Sequence, residues 1–198
     1  SEAGPGAVLS VHNQENPAED ELYRTGGGEL LKLFQLLGIP ASPFPVTGTS
    51  SVRSYLPYFG NGQTLLLVHN TFMPADDVTY ANQYATSAGM NLFYCLCPNA
   101  NLYIENRMPP VKQFMEADGQ IVLGTDSYSS NWQLSIAGEI KSVHDHFPEI
   151  PLEQILQWAT FNGARALGWS NDLGSIEIGK TPGLVLLSND LNSVKRLI

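Results

Sequence analysis

Positive charge is scarce in this chain. Its 198 residues include 10 Lys and Arg against 19 Asp and Glu, which gives a formal net charge of -9 at pH 7. Nucleic acids and anionic membrane surfaces are bound through clusters of basic side chains, and the sequence contains no such cluster. The charge balance therefore argues against both kinds of partner.

Long hydrophobic runs are missing as well. The longest apolar stretches have the length of a strand, well short of the roughly 20 residues that a membrane-spanning helix needs. The opening Ser-Glu-Ala-Gly-Pro-Gly has neither the basic region nor the apolar core of a signal peptide. It does not begin with Met, and we therefore expect a chain that has been cut or processed.

Cysteine is rare, with Cys95 and Cys97 the only two. We expect them on one strand with their side chains on opposite faces, which is a poor arrangement for a disulfide. Because disulfides are uncommon in the cytoplasm, we interpret the pair as reduced thiols of a cytoplasmic protein. Buried packing is favoured over a Cys-x-Cys metal site, since cysteine is so often simply buried.

Three hydrophobic runs in the sequence each end on a polar residue that can bind a metal. The runs cover residues 7–12, 65–69 and 121–126, and they end on His12, His69 and Asp126. Runs rich in Val and Leu without strict alternation are typical of strands buried on both faces, as in a parallel sheet. The carboxyl ends of parallel strands face one common space. Two imidazoles and a carboxylate at those ends predict a divalent-metal hydrolase.

Strand and helix patterns alternate along the chain and predict an α/β fold with a parallel sheet. Strands are expected at 7–12, 64–68, 92–97 and 121–123, with helices starting at about Pro17 and covering 29–37, 51–59, 76–87, 109–117, 135–147, 152–160 and 164–167. A loop rich in Pro, Ser and Thr is expected over 40–49. Four βα units make half of an eightfold barrel, which as a whole needs about 250 residues.

The last segment differs in character from the rest. Residues 174–180, followed by the apolar residues 184–187, predict a hairpin or a β-addition that stops at Ile198. We therefore expect residues 1–172 to form the main domain and residues 173–198 a truncated β-addition.

His12 and Glu15 are candidates for a metal ligand and a proton carrier. Neutral imidazole is a common ligand of zinc and related metals. If the chain turns at the end of the strand, Glu15 can fold back and move protons to and from a bound water. The spacing alone is unspecific, and a helix-capping carboxylate on the surface is an equally good interpretation of Glu15.

His69 and Asp126 each have two interpretations. His69 is either a hydrogen-bonded structural residue, which is the commoner case, or a ligand or electrophile that acts on the substrate. Asp126 either caps the Ser-rich loop 127–130 or meets a cation, since a carboxylate behind an apolar strand is costly to bury alone. We interpret His144 and His146, late in a polar helix, as solvated.

Six short motifs occur along the chain in a fixed order. They are His12-Asn13-Gln14-Glu15, Val68-His69-Asn70, Cys97-Pro98-Asn99-Ala100-Asn101, Leu123-Gly124-Thr125-Asp126-Ser127 with Ser130-Asn131, the Ala-Thr-Phe-Asn-Gly-Ala-Arg-Ala-Leu-Gly segment at 159–168, and the Gly-Ser-Ile-Glu-Ile-Gly-Lys segment at 174–180. The set resembles the amidohydrolase superfamily, in its deaminase and chlorohydrolase-like branch. Each motif alone is unspecific, but together and in this order they are specific.

The resemblance implies strands five to eight of a (β/α)8 TIM barrel that binds a divalent metal, zinc first and iron or manganese as alternatives. His12 would be the metal ligand of the fifth strand, and Glu15 the acid that shuttles protons. His69 would be the histidine of the sixth strand, a catalytic and substrate-binding residue near the leaving group. Asp126 would bind the metal and take a proton from the attacking water. Asn101 would lie at the rim of the pocket and help to bind the substrate.

The implied activity is hydrolytic deamination of a purine-like or other heterocyclic amine. Metal-bound hydroxide would attack the carbon of a C–N bond, and the tetrahedral intermediate would release ammonia or an amine. The small-molecule substrate itself stays open, because specificity in such barrels lies in the loops. The identity of the metal stays open too, since mixed His and Asp ligation suits several metals.

Two departures from the family pattern bear on the site. No His precedes His12, and the His-x-His pair of the first strand is therefore absent from this chain. Leu96 stands where relatives often carry a seventh-strand His. With His12 and Asp126 as its ligands, the chain falls below the three protein ligands usual in catalytic zinc sites. We therefore expect the chain to be inactive alone.

Half a barrel would leave sheet edges and apolar faces uncovered. We therefore expect self-association, or pairing with the missing amino-terminal half. Two alternatives stay open, namely a half-barrel module that binds a separate amino-terminal chain and a non-catalytic relative that keeps only the fold. The joint presence of His12, Glu15, His69 and Asp126 argues against the second.

Overall fold

The computed structural model describes residues 3–39 and 45–198. Its strands are β1 (Val8–Asn13), β2 (Thr64–His69), β3 (Asn91–Leu96), β4 (Ile121–Leu123), β5 (Val185–Leu187) and β6 (Val194–Arg196). Its helices are α1 (Pro17–Thr25), α2 (Glu29–Leu36), α3 (Ser51–Tyr55), α4 (Ala75–Ser87), α5 (Pro98–Glu105), α6 (Val111–Glu116), α7 (Ile136–His146), α8 (Leu152–Ala159) and α9 (Phe161–Ala166), and a 3-10 turn covers Leu56–Tyr58. Within these ranges no helix has both the length and the apolar composition needed to cross a bilayer.

Strands β1 to β4 form one parallel sheet in the order of the chain. Helices separate each strand from the next, as parallel pairing requires. In the register of the sheet, His12 pairs with Val68, Val68 with Cys95, and Cys95 with Val122. The carboxyl ends of the four strands therefore lie side by side. The predicted α/β fold with a parallel sheet is confirmed.

The two faces of this sheet are covered differently. Leu65 and Tyr94 point to one face and are fully buried in the main hydrophobic core, together with apolar residues of α4, α6, α7 and α8. Phe93 and Val122 point to the other face, where they form a small separate cluster with Ala166 of α9. Neighbouring residues of a strand belong to different clusters because side chains alternate between the faces of a sheet.

β1 is the exception to the prediction that the strands are buried on both faces. Its side chains alternate between exposed and partly buried from Val8 to His12, and Val8 is 42% exposed. The prediction is wrong for this strand, since nothing in the described part of the chain covers the face on which Val8, Ser10 and His12 lie.

Two elements differ from the sequence prediction near β3 and β4. No helix was expected between residues 98 and 108, but Pro98 begins α5 directly after β3, since proline is well tolerated in the first turn of a helix. The helix expected from Pro109 begins at Val111, and the helix expected at 164–167 is α9. Of the loop expected over 40–49, residues 40–44 lie outside the described part of the chain.

The tail forms an antiparallel hairpin from β5 and β6, in which Leu186 pairs with Lys195. The hairpin lies later than expected, since residues 174–180 contain no strand. Leu191, in the connection between the two strands, is buried in the main core. This side chain therefore fixes the hairpin to the rest of the molecule.

Cys95 and Cys97 point to the same face, which corrects the expectation that they diverge. A Cβ atom at Gly124 would lie 2.9 Å from Sγ of Cys95 and 3.2 Å from Sγ of Cys97. Residues two apart on a strand share a face, and the expectation overlooked this. Both thiols are free. The hydrogen bond between them lowers the pKa of Cys95 and raises that of Cys97.

Candidate metal and proton-transfer site

Three of the predicted residues converge at the carboxyl end of the sheet. His12 and His69 lie at the ends of β1 and β2, and Asp126 follows β4. One potential ligand atom of each lies within 4.8 Å of the other two. The imidazole rings of His12 and His69 have centroids 5.1 Å apart and an interplanar angle of 43°. Ligand atoms of a tetrahedral zinc site lie roughly 3.4 Å apart, and a modest approach of these groups would therefore close a site.

Glu15 reaches the same place, because the chain turns back after β1. Its Oε1 atom lies 3.6 Å from Nε2 of His69, and Oδ2 of Asp126 lies 4.0 Å from the same nitrogen. Both distances exceed those of ordinary hydrogen bonds, so neither carboxylate is bonded directly to the His69 ring. The position of Glu15 thus meets the requirement of the predicted proton shuttle, and the role itself stays a prediction.

The backbone at these strand ends adopts an unusual conformation. Gln14, His69 and Asp126 have φ angles of 42°, 72° and 58°. Asn70 continues the same conformation with a φ of 59°. Residues other than glycine rarely take positive φ, and each instance costs on the order of 1–3 kcal/mol unless the surroundings enforce it. The strain is concentrated at the residues that form or adjoin the candidate site.

Two buried asparagines enforce part of this geometry by joining the ends of β1 and β2. The Asn13 side-chain amide donates to Oδ1 of Asn70 at 2.8 Å, and the Asn70 amide donates to the carbonyl of Leu67 at 2.7 Å. The Tyr55 hydroxyl donates to Oδ1 of Asn13 at 2.6 Å. Burial raises the pKa of Tyr55 well above its usual value, so this hydroxyl stays protonated as a donor. The network fixes the positions from which His12 and His69 project.

Glu19 holds the turn that carries Glu15. Its two carboxylate oxygens accept the backbone N–H groups of Gln14 at 2.7 Å and of Glu15 at 2.9 Å. Asn16 caps α1 by accepting the N–H of Ala18 at 2.9 Å. The Asn-x-x-Glu spacing is that of a capping box, whose acid here reaches further back along the chain. Sequence analysis gave Glu19 no role, although this spacing was a signal that could have identified it.

Replacing Glu19 with Gln should change how stability depends on pH. Burial raises the pKa of Glu19 to about 7 from an ordinary 4.5, despite the two N–H donors. Between these two pH values the unfolded chain has released the proton while the folded chain still binds it, so this residue's contribution to stability falls as the pH rises. Relative to Glu19→Gln, the wild type should lose on the order of 2 kcal/mol of unfolding free energy across this window.

Urea unfolding of both proteins at several pH values measures this difference. Glu139 and the other acids are shared by the two proteins, so the difference isolates Glu19. The prediction would be contradicted if the difference in unfolding free energy between the two proteins were the same at every pH between 4.5 and about 7.

Gln14 ties the same turn to the neighbouring helices. Its side-chain amide donates to Oδ2 of Asp77 at 2.9 Å, and Oδ1 of Asp77 accepts from Nε of Arg53 at 2.5 Å. The Asp77 carboxylate is buried, and the guanidinium of Arg53 compensates its charge. The turn between His12 and α1 is thus held by side chains of α3 and α4 as well as by Glu19.

The loop that carries Asp126 is held by a buried acid. The hydroxyl of Ser130 donates to Oδ2 of Asp126 at 2.5 Å. The next residue, Asn131, donates to Oε1 of Glu139 at 2.9 Å, and Oε2 of Glu139 accepts the N–H of Asn99 at 2.8 Å. Glu139 is fully buried, and burial raises its pKa. It links the Asp126 loop to the start of α5, a role that sequence analysis did not predict.

Asn101 lies behind His69 and not at the rim of a pocket. Its side chain is fully buried, and its Oδ1 atom is 2.8 Å from Nδ1 of His69. The predicted rim position is wrong because α5 was not expected, and this helix carries Asn101 inwards. A role of Asn101 in substrate binding stays a prediction.

The comparisons with known proteins agree with the motifs. Residues 47–197 match the model of the amidohydrolase family. The chain is 36% identical over 98 residues to a 5-methylthioadenosine/S-adenosylhomocysteine deaminase of Moorella thermoacetica, a match that covers 46% of this chain and 23% of that protein. His12 and Glu15 precede the range matched by the family model, so their place in the site is an independent observation.

Two solved structures show the likeness of the fold. The aminofutalosine deaminase of Helicobacter pylori, in complex with methylthio-coformycin, superposes with a TM-score of 0.71 and 24% identity over 89% of this chain and 42% of that chain. An adenosine deaminase from Xanthomonas campestris with bound zinc has a TM-score of 0.61 and 23% identity, over 93% of this chain and 37% of that chain.

The chain therefore spans less than half the length of these relatives. The family model nevertheless matches most of it, and four of the six motifs that suggested the resemblance lie at or directly after the carboxyl ends of the parallel strands. The chain belongs to the amidohydrolase family.

Proposed function

We propose that this chain provides part of the metal centre of a hydrolase that deaminates a purine-like or related heterocyclic amine. The observation that carries the proposal is the convergence of His12, His69 and Asp126, with Glu15 beside them, at one end of a parallel sheet. Family membership and the deaminase names of the relatives support the choice of reaction.

The donor set fits a divalent cation. Two imidazoles and a carboxylate suit zinc, iron and manganese. His12 and Asp126 would hold the ion, and His69 is close enough to be a third ligand or to face a bound molecule. The bond between Asn101 and Nδ1 of His69 is of the kind that orients histidines in metal sites. A cation bound here would lower the pKa of a coordinated water and polarise the substrate.

Proton transfer is assigned to Glu15. The attacking water must lose a proton and the leaving amine must gain one, and a carboxyl group that faces both can serve for each transfer in turn. The position of Glu15 Oε1, 3.6 Å from Nε2 of His69, supports this assignment. His69 orients the leaving nitrogen, and Asp126, held by Ser130, accepts a hydrogen bond from the water.

We further propose that β1 to β4 are strands five to eight of a (β/α)8 barrel. The parallel order of the strands and the uncovered face of β1 support this interpretation. In a complete barrel, that face would meet the first strand and the barrel interior. The remaining metal ligands would then come from a segment that contains the first four strands and pairs with this chain. Without that segment, the chain would tend to associate with itself.

Release of ammonia from adenosine in the presence of zinc tests the function. Turnover is expected when this chain is combined with a segment that supplies the first four strands and a His-x-His pair. No turnover is expected for the chain alone, because the ligand set is incomplete. A combined protein that binds zinc but releases no ammonia from adenosine, 5′-methylthioadenosine or other amino-substituted heterocycles would contradict the proposal.

A further inference from the structure

The side chain of Asn101 is one of six in the described part of the chain with a buried polar atom that lacks a hydrogen-bond partner. It is fully buried, and its Nδ2 atom has no hydrogen-bond partner among the described residues. A buried polar group without a partner costs about 1–3 kcal/mol, and such groups are rare in folded proteins. An apolar side chain of similar size would cost less at this position. Stability alone therefore does not explain an asparagine at this position. The hydrogen-bond contact of its side chain with His69 is the feature that an apolar residue could not provide.

His69 has polar neighbours at both ring nitrogens, but they are unequal. Nδ1 lies 2.8 Å from Oδ1 of Asn101, within hydrogen-bond range. Nε2 faces the carboxylates of Glu15 and Asp126 at 3.6 and 4.0 Å, both beyond that range. The ring is 1% exposed, so water does not compete for Nδ1. The contact with Asn101 is therefore the contact of the ring that lies within hydrogen-bond range, and it competes with the two carboxylates for the ring proton.

We propose that Asn101 is a positioning residue that keeps the proton of the neutral His69 ring on Nδ1. A neutral imidazole donates from one nitrogen and accepts at the other, and the carbonyl oxygen of an amide only accepts. The proton on Nδ1 leaves the lone pair of Nε2 directed towards Glu15 and Asp126. Without Asn101, the two carboxylates would draw the proton to Nε2, and the lone pair would point into the protein.

The lone pair on Nε2 is what the candidate site requires. It can bind a cation, or accept a hydrogen bond from a water or a leaving amine, whereas a proton on Nε2 would prevent both. This consequence for catalysis rests on the proposed function. The position of the proton does not, and it can be measured on the chain itself.

Nitrogen-15 NMR of the chain with labelled histidine reads the proton position directly. The chain has four histidines, and His69→Gln identifies the signals of His69. Spectra are taken on the alkaline side of the ordinary histidine pKa, at a pH where the His69 signals themselves show the neutral ring.

We expect His69 to show a protonated Nδ1 and a lone pair on Nε2. A protonated Nε2 in the wild type would overturn the proposal, since the amide of Asn101 would then have to donate to Nδ1. This result needs no substitution at position 101, and it decides the question even if such substitutions disturb the fold.

Two variants separate positioning from packing. Asn101→Leu keeps the size but removes the acceptor, and we expect the proton of His69 to move to Nε2. Asn101→Asp offers only acceptor oxygens, and we expect it to retain the wild-type pattern. An unchanged proton position in Asn101→Leu would overturn the proposal, because a packing role leaves the two variants alike.

Kinetics of an active protein add an independent readout. Asn101→Leu should lower kcat roughly 10- to 100-fold with little change in KM, which is typical for loss of a residue that orients a metal-site histidine. Asn101→Asp should recover much of this loss. If the wild-type chain combined with the segment that supplies the first four strands deaminates nothing, the proposed function fails while the spectra still decide the role of Asn101. An unchanged kcat of Asn101→Leu in an active protein would overturn that role.

Discussion

Replacing Glu15 with Gln is expected to lower kcat of the proposed deamination by about 10²- to 10⁴-fold, the usual contribution of a general acid–base group. The amide keeps the size of the side chain and its place 3.6 Å from Nε2 of His69, but it does not carry protons. Binding of zinc should be unchanged, because Glu15 is not among the groups assigned to hold the metal. Steady-state kinetics and zinc titration together measure both parts of this expectation.

Glu21 offers a matched control for this substitution. It is an exposed acid on α1, only six residues from Glu15, and it lies outside the candidate site. Glu21→Gln should therefore keep the wild-type kcat. The proton-shuttle role would be refuted by a Glu15→Gln variant whose kcat stays within a factor of about two of wild type, far below the usual effect.

Replacing Asp126 with Asn should have the largest effect on metal binding. The neutral amide is a poor ligand, and the loss would remove one of the three groups that meet within 4.8 Å. Loss of a residue that merely orients a ligand costs about 10- to 100-fold in affinity, and loss of the ligand itself should exceed this. Deamination should be abolished together with binding. Calorimetric titration with zinc measures the affinity.

Asp145 is the control for charge in this experiment. It is an exposed carboxylate on α7 that pairs with Lys141, and Asp145→Asn changes the net charge by the same amount. We expect its zinc affinity to equal that of the wild type. Equal affinities for the wild type and Asp126→Asn would show that Asp126 does not hold the metal.

The ends of the strands could be predicted from sequence because their signal is local. An apolar run that ends on His12, His69 or Asp126 predicts which residue lies at the carboxyl end of a parallel strand. The order of strands and helices likewise predicted the parallel sheet. These features depend on neighbours in the chain, and a single sequence contains them.

The supports of the site differ in how far the sequence could predict them. Glu19 accepts backbone N–H groups four and five residues away, so the local Asn-x-x-Glu spacing was a signal for it, whereas Glu139 accepts the N–H of Asn99, 40 residues away, and this partner depends on the folded arrangement. Asn101 was misplaced because α5 was not expected after the strand at 92–97. The exposure of β1 depends on whether another part of the protein covers its face, and the residues of the strand do not predict this.

The claim that His12, His69 and Asp126 form one metal centre is tested most directly by locating zinc in the protein. Crystals of the chain saturated with zinc and measured at the absorption edge of the metal would reveal its position by anomalous scattering. We expect an anomalous-scattering peak between the two imidazoles and the Asp126 carboxylate, next to Glu15. A peak confined to another place, such as the thiols of Cys95 and Cys97, or none between these three residues, would contradict it.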